Sequence, residues 1–295
     1  MLVLSQADVA AVLDMASLVD VVERAMDDVS AGLASMPPRV GAMVAERGGI
    51  LAAMPAFLPS SAALTTKLVS VFPENRDRPT HQAIICCFDP DTGTPTALLD
   101  GTLITAMRTA AGSAVATRML ARPDASKVAI IGTGVQSGTH VEAMRVLGYD
   151  DIVVCGRSTA VSIEDAVRTA DIVCATTHSD APVVRREWLR PGTHVNSVGY
   201  NTQGTGELDE QTIRDALVVV ESRAAVFAPP PAGAVELLGV LGPEDVVEIG
   251  EHPSRDDDEQ LTVYKSVGVA AQDAAAASLV LAAAQARGLG VHVDL

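Results

Sequence analysis

The sequence contains few aromatic residues, few lysines and no excess of positive charge. One tryptophan, three tyrosines and four phenylalanines occur among 295 residues. Proteins that bind single-stranded nucleic acid commonly stack bases on aromatic side chains, so no such platform is expected. The formal net charge of −16 also opposes binding to phosphate backbones and anionic lipid surfaces. We therefore predict neither a nucleic-acid partner nor a membrane partner.

Long apolar runs, paired cysteine spacings and a basic N-terminal leader are absent as well. No apolar run has the length that spans a bilayer, and no basic region precedes the first apolar residues, which predicts a cytoplasmic protein. The cysteines lack the spacing of zinc ligands and are expected to be buried reduced thiols: Cys86, Cys87, Cys155 and Cys174. The acidic run 256–259 has no second cluster, so we predict no metal.

What the sequence does contain is enough apolar material for two domains, since 48% of its residues are hydrophobic. The first part has short strand-like segments separated by turn residues, which predicts a mostly antiparallel sheet. Its strands are expected at 49–54, 64–71, 82–88 and 96–100, followed by a helix at 104–120. We assign 1–115 with 268–295 to a mixed α+β substrate-binding and dimerisation domain, to which a final helix at 267–287 returns.

The second part, 116–267, alternates strands and helices, the pattern of a parallel Rossmann-type sheet in an α/β fold. Strands are expected at 127–131, 152–155, 171–176, 194–198 and 217–220, with 228–260 as a surface excursion. Only one helix fits between the second and third of these strands. The usual strand order 3-2-1-4-5-6 therefore loses its third strand, which predicts 2-1-4-5-6 with strand 152–155 at an exposed edge.

A glycine-rich segment follows the first strand of this second part: Gly132-Thr-Gly134-Val135-Gln136-Ser137. Such glycines allow a tight turn, and the N–H groups that open the next helix can hold a pyrophosphate. The motif predicts a dinucleotide cofactor bound by Gly132, Gly134, Val135 and Gln136. Thr176 and Val198, the last residues of two later predicted strands, complete the set. An ordinary strand-to-helix turn is the alternative, because Ser137 replaces the third glycine.

The expected position of the ribose-binding carboxylate holds Arg157 and Ser158 instead. An arginine fork suits a 2′-phosphate, and the serine hydroxyl can donate to the same group. This favours NADP(H), with NAD(H) still possible. The alternative is that Arg157 is a solvated loop residue.

Several blocks of the sequence, in order along nearly the whole chain, resemble the ornithine cyclodeaminase/mu-crystallin family. These blocks are 64–75, 79–82, 99–111, 131–136, 191–199, 207–209 and 265–268. The family includes ornithine cyclodeaminases, alanine dehydrogenases, ketimine and 1-pyrroline-2-carboxylate reductases, and mu-crystallins that bind NADPH. The resemblance also implies a homodimer formed through the antiparallel domain.

The resemblance implies that Arg39, Lys67 and Arg108 hold a substrate carboxylate. Arginine forks bind carboxylates in bidentate fashion, and a lysine in an apolar setting can act as a proton donor. Arg108 also stands out by itself, because it interrupts an otherwise apolar helix where an unpaired charge would be costly. His81 is expected either to line the pocket or to be structural. For each cation alone, a surface ion pair is the alternative.

Two departures from the family pattern select among its reactions. Cyclodeaminases carry a glutamate and an aspartate where this chain has Ala52 and Asn201. Without these carboxylates the site is expected to lack a general base for an amine, so Asn201 would only hydrogen-bond the reacting nitrogen. We predict an NAD(P)H-dependent reductase of small cyclic or linear 2-imino carboxylates, with Lys67, Arg108 and Asn201 as catalytic residues. The alternatives are a cyclodeaminase or alanine dehydrogenase-type enzyme, and a non-catalytic binder like mu-crystallin.

Overall fold

The computed structural model describes residues 1–199, 206–230 and 232–294. The chain divides into two units, Met1–Arg108 with Val269–Leu295 (unit 1) and Thr109–Gly268 (unit 2). The first boundary falls inside a long helix, earlier than residue 115. No helix of the described segments is long and apolar enough to cross a membrane.

Fourteen strands and eight α-helices are formed by the described residues. The strands are β1 (Leu2–Leu4), β2 (Val40–Val44), β3 (Gly49–Leu58), β4 (Ala63–Val71), β5 (His81–Phe88), β6 (Pro95–Asp100), β7 (Lys127–Ile131), β8 (Asp151–Cys155), β9 (Ile172–Ala175), β10 (His194–Ser197), β11 (Leu217–Val220), β12 (Val246–Glu248), β13 (Thr262–Lys265) and β14 (Val291–His292). The helices are α1 (Gln6–Val12), α2 (Met15–Ser30), α3 (Gly101–Leu120), α4 (Val135–Val146), α5 (Ile163–Thr169), α6 (Glu210–Asp215), α7 (Arg223–Val226) and α8 (Ala270–Arg287).

Unit 1 is built on a seven-stranded sheet of order β14-β1-β6-β5-β4-β3-β2. Only the β1–β6 pair is parallel, and the central strands are joined as antiparallel neighbours. Alternating side chains on one face are buried, where helix α8 packs on the sheet and α2 packs against α8: Met54, Leu58, Ile85 and Leu99. The opposite face is also apolar, yet Leu51 is 49% exposed and Ile84 42% exposed.

Strand β3 continues through Pro55 to Leu58, so the expectation that it ends at 54 is wrong. Pro55 pairs with Thr66 of β4, while the pairing of β3 with β2 stops at Ala53. Phe57 exchanges hydrogen bonds with Ser35 on the β2 side. Because alternate residues of a strand direct their N–H groups to the same side, the donor that proline lacks falls where no partner strand lies.

Unit 2 is built on a fully parallel seven-stranded sheet of order β12-β11-β13-β10-β9-β7-β8. Only helix α5 lies between β8 and β9, so the shortened Rossmann-type sheet with β8 at its edge is confirmed. The end of the predicted order is wrong, because β13 lies between β10 and β11. The sequence of β13, Thr-Val-Tyr-Lys, lacks a continuous apolar run although all four residues are buried.

The stretch 228–260 is not simply a surface excursion, which corrects a second expectation. It contains strand β12, and Leu237 and Ile249 are fully buried. Arg255 donates from Nε and Nη2 to the carbonyl oxygen of Leu120, at 2.9 and 2.7 Å, where α3 ends. A cation at a helix C-terminus satisfies free carbonyl groups and complements the helix dipole, so this stretch anchors α3 within unit 2.

Candidate functional site

The glycine-rich turn of unit 2 has the geometry of a phosphate-binding loop. Gly132 follows β7 with φ +123°, and a Cβ atom there would lie 2.7 Å from Thr176 Oγ1. Only glycine fits this position without displacing its neighbour. Gly134 is the N-cap of α4 and has open space around it, while Val135 in the first turn is 74% exposed. The N–H groups that open α4 are therefore accessible to a ligand.

Thr176 lies at the carboxyl end of β9, the neighbour of β7, and Val198 lies at the carboxyl end of β10, the strand beyond β9. The N–H and Oγ1 groups of Thr176 donate to the Ile131 carbonyl at 2.9 and 2.8 Å, and Val198 N donates to Ala175 O at 3.1 Å. The structure thus brings these two residues and the glycine turn to one edge of the parallel sheet. This edge is where open α/β sheets bind their ligands.

Arg157 and Ser158 lie in the turn after β8, which is the outermost strand of the sheet and pairs with β7. Thr159 shapes this turn, since its hydroxyl accepts from Gly156 N at 2.8 Å and lies 2.9 Å from the Val161 carbonyl oxygen. Both Arg157 and Ser158 are exposed. Within the described segments neither side chain has a recorded hydrogen bond or ion pair, so both are available to an anion.

Unit 1 buries a charged group of four side chains, which we call the Lys67 cluster: Lys67, Arg108, Gln272 and Asp273. Asp273 bridges the two cations, with 2.6 Å from its Oδ2 to Lys67 Nζ and 3.0 Å from its Oδ1 to Arg108 Nε. Arg108 Nη1 donates to Gln272 Oε1 at 3.0 Å. Strand β4 supplies Lys67, α3 supplies Arg108, and the first turn of α8 supplies the other two residues.

Burial and charge shift the ionisation of this cluster. Burial lowers the pKa of Lys67 to about 8; Asp273 opposes the shift, whereas Arg108 and Arg39 add to it. Burial by itself would raise the pKa of Asp273, but the charges of Lys67 and Arg108 outweigh it and hold the pKa below its usual value. Asp273 is therefore an anion at neutral pH, while Lys67 stays mostly protonated but releases its proton more readily than a solvated lysine.

The other residues expected at the substrate site are distributed differently. Arg39 is half-buried and near enough for its charge to act on Lys67. His81 is exposed and contacts the Thr80 hydroxyl at 3.1 Å. It pairs with Val71, four residues along β4 from Lys67, which is roughly 13 Å at the rise of a strand. Asn201 lies outside the described residues.

The structure places a carboxylate, Asp273, beside the cations, at neither of the positions where cyclodeaminases carry theirs. Ala52 is buried on β3 and supplies no acid, but the carboxylate of Asp273 comes from α8 instead. A signal for it exists in the sequence, because Asp273 is the lone charge in the alanine-rich helix before Arg287. The same argument singled out Arg108, and its extension to α8 would have found Asp273.

Unit 2 contains a second buried charged group, the Lys265 cluster: Ser197, Glu207, Glu236 and Lys265. Lys265 Nζ lies 3.0 Å from Glu236 Oε1, 3.2 Å from Ser197 Oγ and 3.0 Å from Gly199 O. Glu207 accepts from Thr177 N at 2.6 Å and from Gly199 N at 2.7 Å. These contacts tie the segments that follow β9 and β10 to the end of β13.

No group of three or more histidine, cysteine, aspartate or glutamate side chains in the described part of the chain could hold a metal ion. The donor atoms of the two units instead suit organic anions: a buried lysine and arginine in unit 1, and exposed backbone N–H groups in unit 2.

Comparisons with known proteins agree with this chemistry. The model of the "Ornithine cyclodeaminase/mu-crystallin family" matches residues 1–162 and 147–288. The mouse (Mus musculus) "Ketimine reductase mu-crystallin" is 36% identical over 272 residues, which cover 83% of each chain.

Two solved structures extend the comparison. The Thermococcus litoralis Delta(1)-pyrroline-2-carboxylate reductase, in complex with NADH and L-proline, has a TM-score of 0.88 and 33% identity over 99% of this chain and all of its own. An archaeal alanine dehydrogenase dimer with bound NAD has a TM-score of 0.89 and 31% identity over 100% of this chain and 99% of its own.

Proposed function

Because the chain belongs to the ornithine cyclodeaminase/mu-crystallin family, we propose that it is an NAD(P)H-dependent reductase. Its substrates are small cyclic or linear 2-imino carboxylates, and its products are L-amino acids. The observation that carries the proposal is the Lys67 cluster, in which two buried cations keep N–H donors beyond those used by Asp273 and Gln272. Such donors are suited to one carboxylate group.

The chemistry requires a hydride at the imine carbon and a proton at the imine nitrogen. A bound nicotinamide supplies the hydride. Arg108 and Lys67 bind the substrate carboxylate and orient the C=N bond, and the Lys67 ammonium donates the proton. With its pKa of about 8, Lys67 is mostly protonated at neutral pH and still gives up the proton readily. The neutral amine of Lys67 then regains a proton from solvent.

Ornithine cyclisation is the less favoured member of the family's reactions. It needs a base that takes a proton from an amine, and Asp273, held as an anion by two cations, is a weak base. Imine reduction needs no such base. An alanine dehydrogenase activity is the second candidate, favoured by the archaeal structure, since it passes through a linear 2-imino acid formed from pyruvate and ammonia.

For the cofactor we propose that unit 2 binds a dinucleotide across the glycine turn, Thr176 and Val198. Both neighbouring solved structures carry NADH or NAD. The exposed pair Arg157 and Ser158 favours NADP(H) in this chain, because a guanidinium and a hydroxyl can hold a 2′-phosphate. We therefore expect binding of both cofactors, with NADPH preferred.

We further propose that the protein is a homodimer formed through unit 1. The sheet face opposite α2 and α8 carries apolar side chains in register: Leu68 pairs with Ala53 on one side and with Ile84 on the other. A second copy with the same self-complementary apolar face would cover it by a twofold axis. The archaeal alanine dehydrogenase is likewise a dimer. Analytical ultracentrifugation tests this, and Leu68→Glu would yield monomers.

The four cysteines are free thiols, and a reducing compartment keeps thiols in that state. On this ground we propose a cytoplasmic location. Cell fractionation that recovers the protein in an oxidising compartment would contradict it.

The deciding experiment mixes the protein with NADPH or NADH and 1-pyrroline-2-carboxylate, and follows loss of the reduced nicotinamide absorbance and formation of L-proline. The proposal expects turnover with at least one cyclic or linear 2-imino acid. Ammonia release from ornithine with catalytic NAD⁺ would point instead to a cyclodeaminase. Consumption of pyruvate only with ammonia would point to an alanine dehydrogenase. Tight NADPH binding without any turnover would reduce the protein to a binder.

A further inference from the structure

Asp273 contacts Lys67 and Arg108, two of the cations that the family pattern assigns to the substrate carboxylate. It stands at neither of the two positions, Ala52 and Asn201, where this chain departs from the cyclodeaminase pattern. It is 1% exposed and lies in the first turn of α8. The positive end of a helix dipole favours an anion there. A carboxylate in this place stays ionised and is fixed by the helix, which makes it a stable anchor for two long cationic side chains.

Two of the three guanidinium nitrogens of Arg108 are bound by Asp273 and Gln272. Asp273 takes Arg108 Nε, and Gln272 takes Nη1. Nη2 has no recorded partner among the described residues. Because a guanidinium is planar and rigid, fixing two of its nitrogens also fixes the direction of the third.

The Lys67 ammonium group likewise has one contact to Asp273 and further N–H donors without a recorded partner among the described residues. In the described part of the chain Asp273 is its one recorded partner, at 2.6 Å, although an ammonium group has three N–H donors. A charge that is 98% buried with one partner is costly unless a further acceptor binds. The charges of Lys67, Arg108 and Asp273 sum to +1, and one carboxylate from a ligand neutralises them.

We propose that Asp273 is the positioning residue of the carboxylate site. It orients Lys67 and Arg108, keeps Lys67 charged, and leaves their remaining N–H donors preorganised for a single carboxylate group. The inference rests on the proposed function for the identity of the ligand, an imino acid with one carboxylate at the reacting end. Asp273 itself neither gives nor takes a proton during the reaction.

The groups that act on Lys67 come from three elements: Arg39 from the segment before β2, Arg108 from α3 and Asp273 from α8. Asp273 is the anion in this set, so its removal leaves Lys67 among cations in a buried setting. The expected consequence is that Lys67 loses its proton at lower pH, since an opposite charge within about 4–6 Å shifts a pKa by about one to three units.

The chain is suited to a direct test because it contains only three lysines: Lys67, Lys127 and Lys265. The protein labelled with ¹³C at the lysine ε-carbon gives three NMR signals, which single lysine substitutions assign. In the wild type the Lys67 signal should titrate near pH 8. In Asp273→Asn, which keeps the shape of the side chain and removes its charge, the midpoint should fall by about one to three pH units.

Asp91→Asn is the matched control, because it removes the same charge from an exposed turn between β5 and β6. It should leave all three midpoints unchanged. Asp273→Glu restores the charge with a longer side chain. It should return the Lys67 midpoint toward the wild-type value, while the displaced cations raise KM for the imino acid more than they lower kcat.

Activity provides a second readout of the same property. The kcat/KM profile of the wild type should fall as pH rises through about 8, and in Asp273→Asn this fall should occur at correspondingly lower pH. An unchanged Lys67 midpoint and an unchanged pH profile in folded Asp273→Asn would overturn the proposal. If that variant does not fold, a wild-type Lys67 that titrates like a free lysine, near 10.4, would overturn it as well.

The two proposals fail in different ways. If the wild type reduces no imino acid but the Lys67 midpoint shifts as expected, the enzymatic assignment fails and the role of Asp273 in the cluster stands. If imine reduction occurs and neither Lys67 nor the pH profile responds to Asp273, the reductase stands and the positioning role fails.

Discussion

Each unit of the molecule buries one lysine against a carboxylate, and the two lysines differ in how completely they are satisfied. Lys265 of unit 2 has three oxygen partners: Glu236, the Ser197 hydroxyl and the Gly199 carbonyl. Among the described residues, Lys67 of unit 1 has one, Asp273. A fully satisfied ammonium stabilises the surrounding structure, whereas one with spare donors is prepared for a ligand. Burial alone therefore does not distinguish a functional lysine from a structural one. The number of hydrogen-bond partners that the ammonium group already has distinguishes these two lysines.

Lys67→Met tests the functional role of the buried lysine in unit 1 most directly. The substitution keeps an unbranched side chain and leaves Asp273 paired with Arg108, so unit 1 should remain folded. We expect kcat/KM for imine reduction to fall by about 10²- to 10⁴-fold, the usual contribution of a positioned proton donor. Binding of NADPH, measured by fluorescence titration, should not change. Lys127→Met serves as the control, and retained turnover in Lys67→Met would remove Lys67 from the mechanism.

The matching substitution in unit 2, Lys265→Met, should have the opposite phenotype. It leaves Glu236 buried without its cation, and breaking a buried ion pair from one side costs about 3–5 kcal/mol of unfolding free energy. Urea unfolding followed by circular dichroism measures this loss. Turnover per folded molecule should persist. A folded variant that binds cofactor normally but has lost activity would show that the two lysines are not as different as their partners indicate.

A third contrast concerns acid. Burial lowers the pKa of His140 to about 4 and that of His194 to about 3, and both lie in unit 2. Between those values and the ordinary histidine pKa of about 6.5, the unfolded chain binds protons that the folded unit does not. Unfolding free energy should therefore fall as pH drops below about 6.5, by up to about 3 kcal/mol for His140 and up to about 5 kcal/mol for His194.

The measurement is the urea midpoint as a function of pH. His194→Gln should flatten part of this dependence, whereas a substitution of the exposed His178 should leave it unchanged. Equal acid dependence in His194→Gln and the wild type would mean that burial does not hold His194 neutral in the folded protein.

The smallest expected effect concerns the cofactor, where unit 2 offers an exposed cation rather than a buried one. Arg157→Ala should raise KM for NADPH by about tenfold, the typical value of one charge-assisted hydrogen bond. KM for NADH should hardly change, because NADH has no 2′-phosphate. Identical effects on both cofactors would indicate that Arg157 does not read the phosphate.

Strands with a continuous apolar run could be predicted from the sequence, whereas a buried strand with polar residues could not. Strands 127–131 and 217–220 were placed to the residue because each is a buried apolar run. Strand β13 was missed because Thr262 and Lys265 interrupt its apolar pattern, although its polar side chains find buried partners in the fold. Those partners come from distant positions, which local periodicity does not encode.

The candidate site shows the same limit. Lys67 and Arg108 could be singled out as charges in apolar surroundings, and the structure brings them together on Asp273. Asp273 carries the same local signal, but its importance depends on a contact with residues more than 160 positions away, which the local sequence does not reveal. His81 illustrates the converse, since its position within a family block suggests a role at the substrate site, and its side chain is exposed.

Strand β8 is the outermost strand of the unit 2 sheet, and this position affects how the protein aggregates. Its backbone is open to pairing with another chain, and Val154 on it is 38% exposed. At neutral pH the charge of −16 keeps molecules apart. Near the isoelectric point of about 4.6 that repulsion vanishes, in the same range where protons begin to open unit 2. Acid precipitation should therefore yield cross-strand aggregates that do not redissolve on neutralisation.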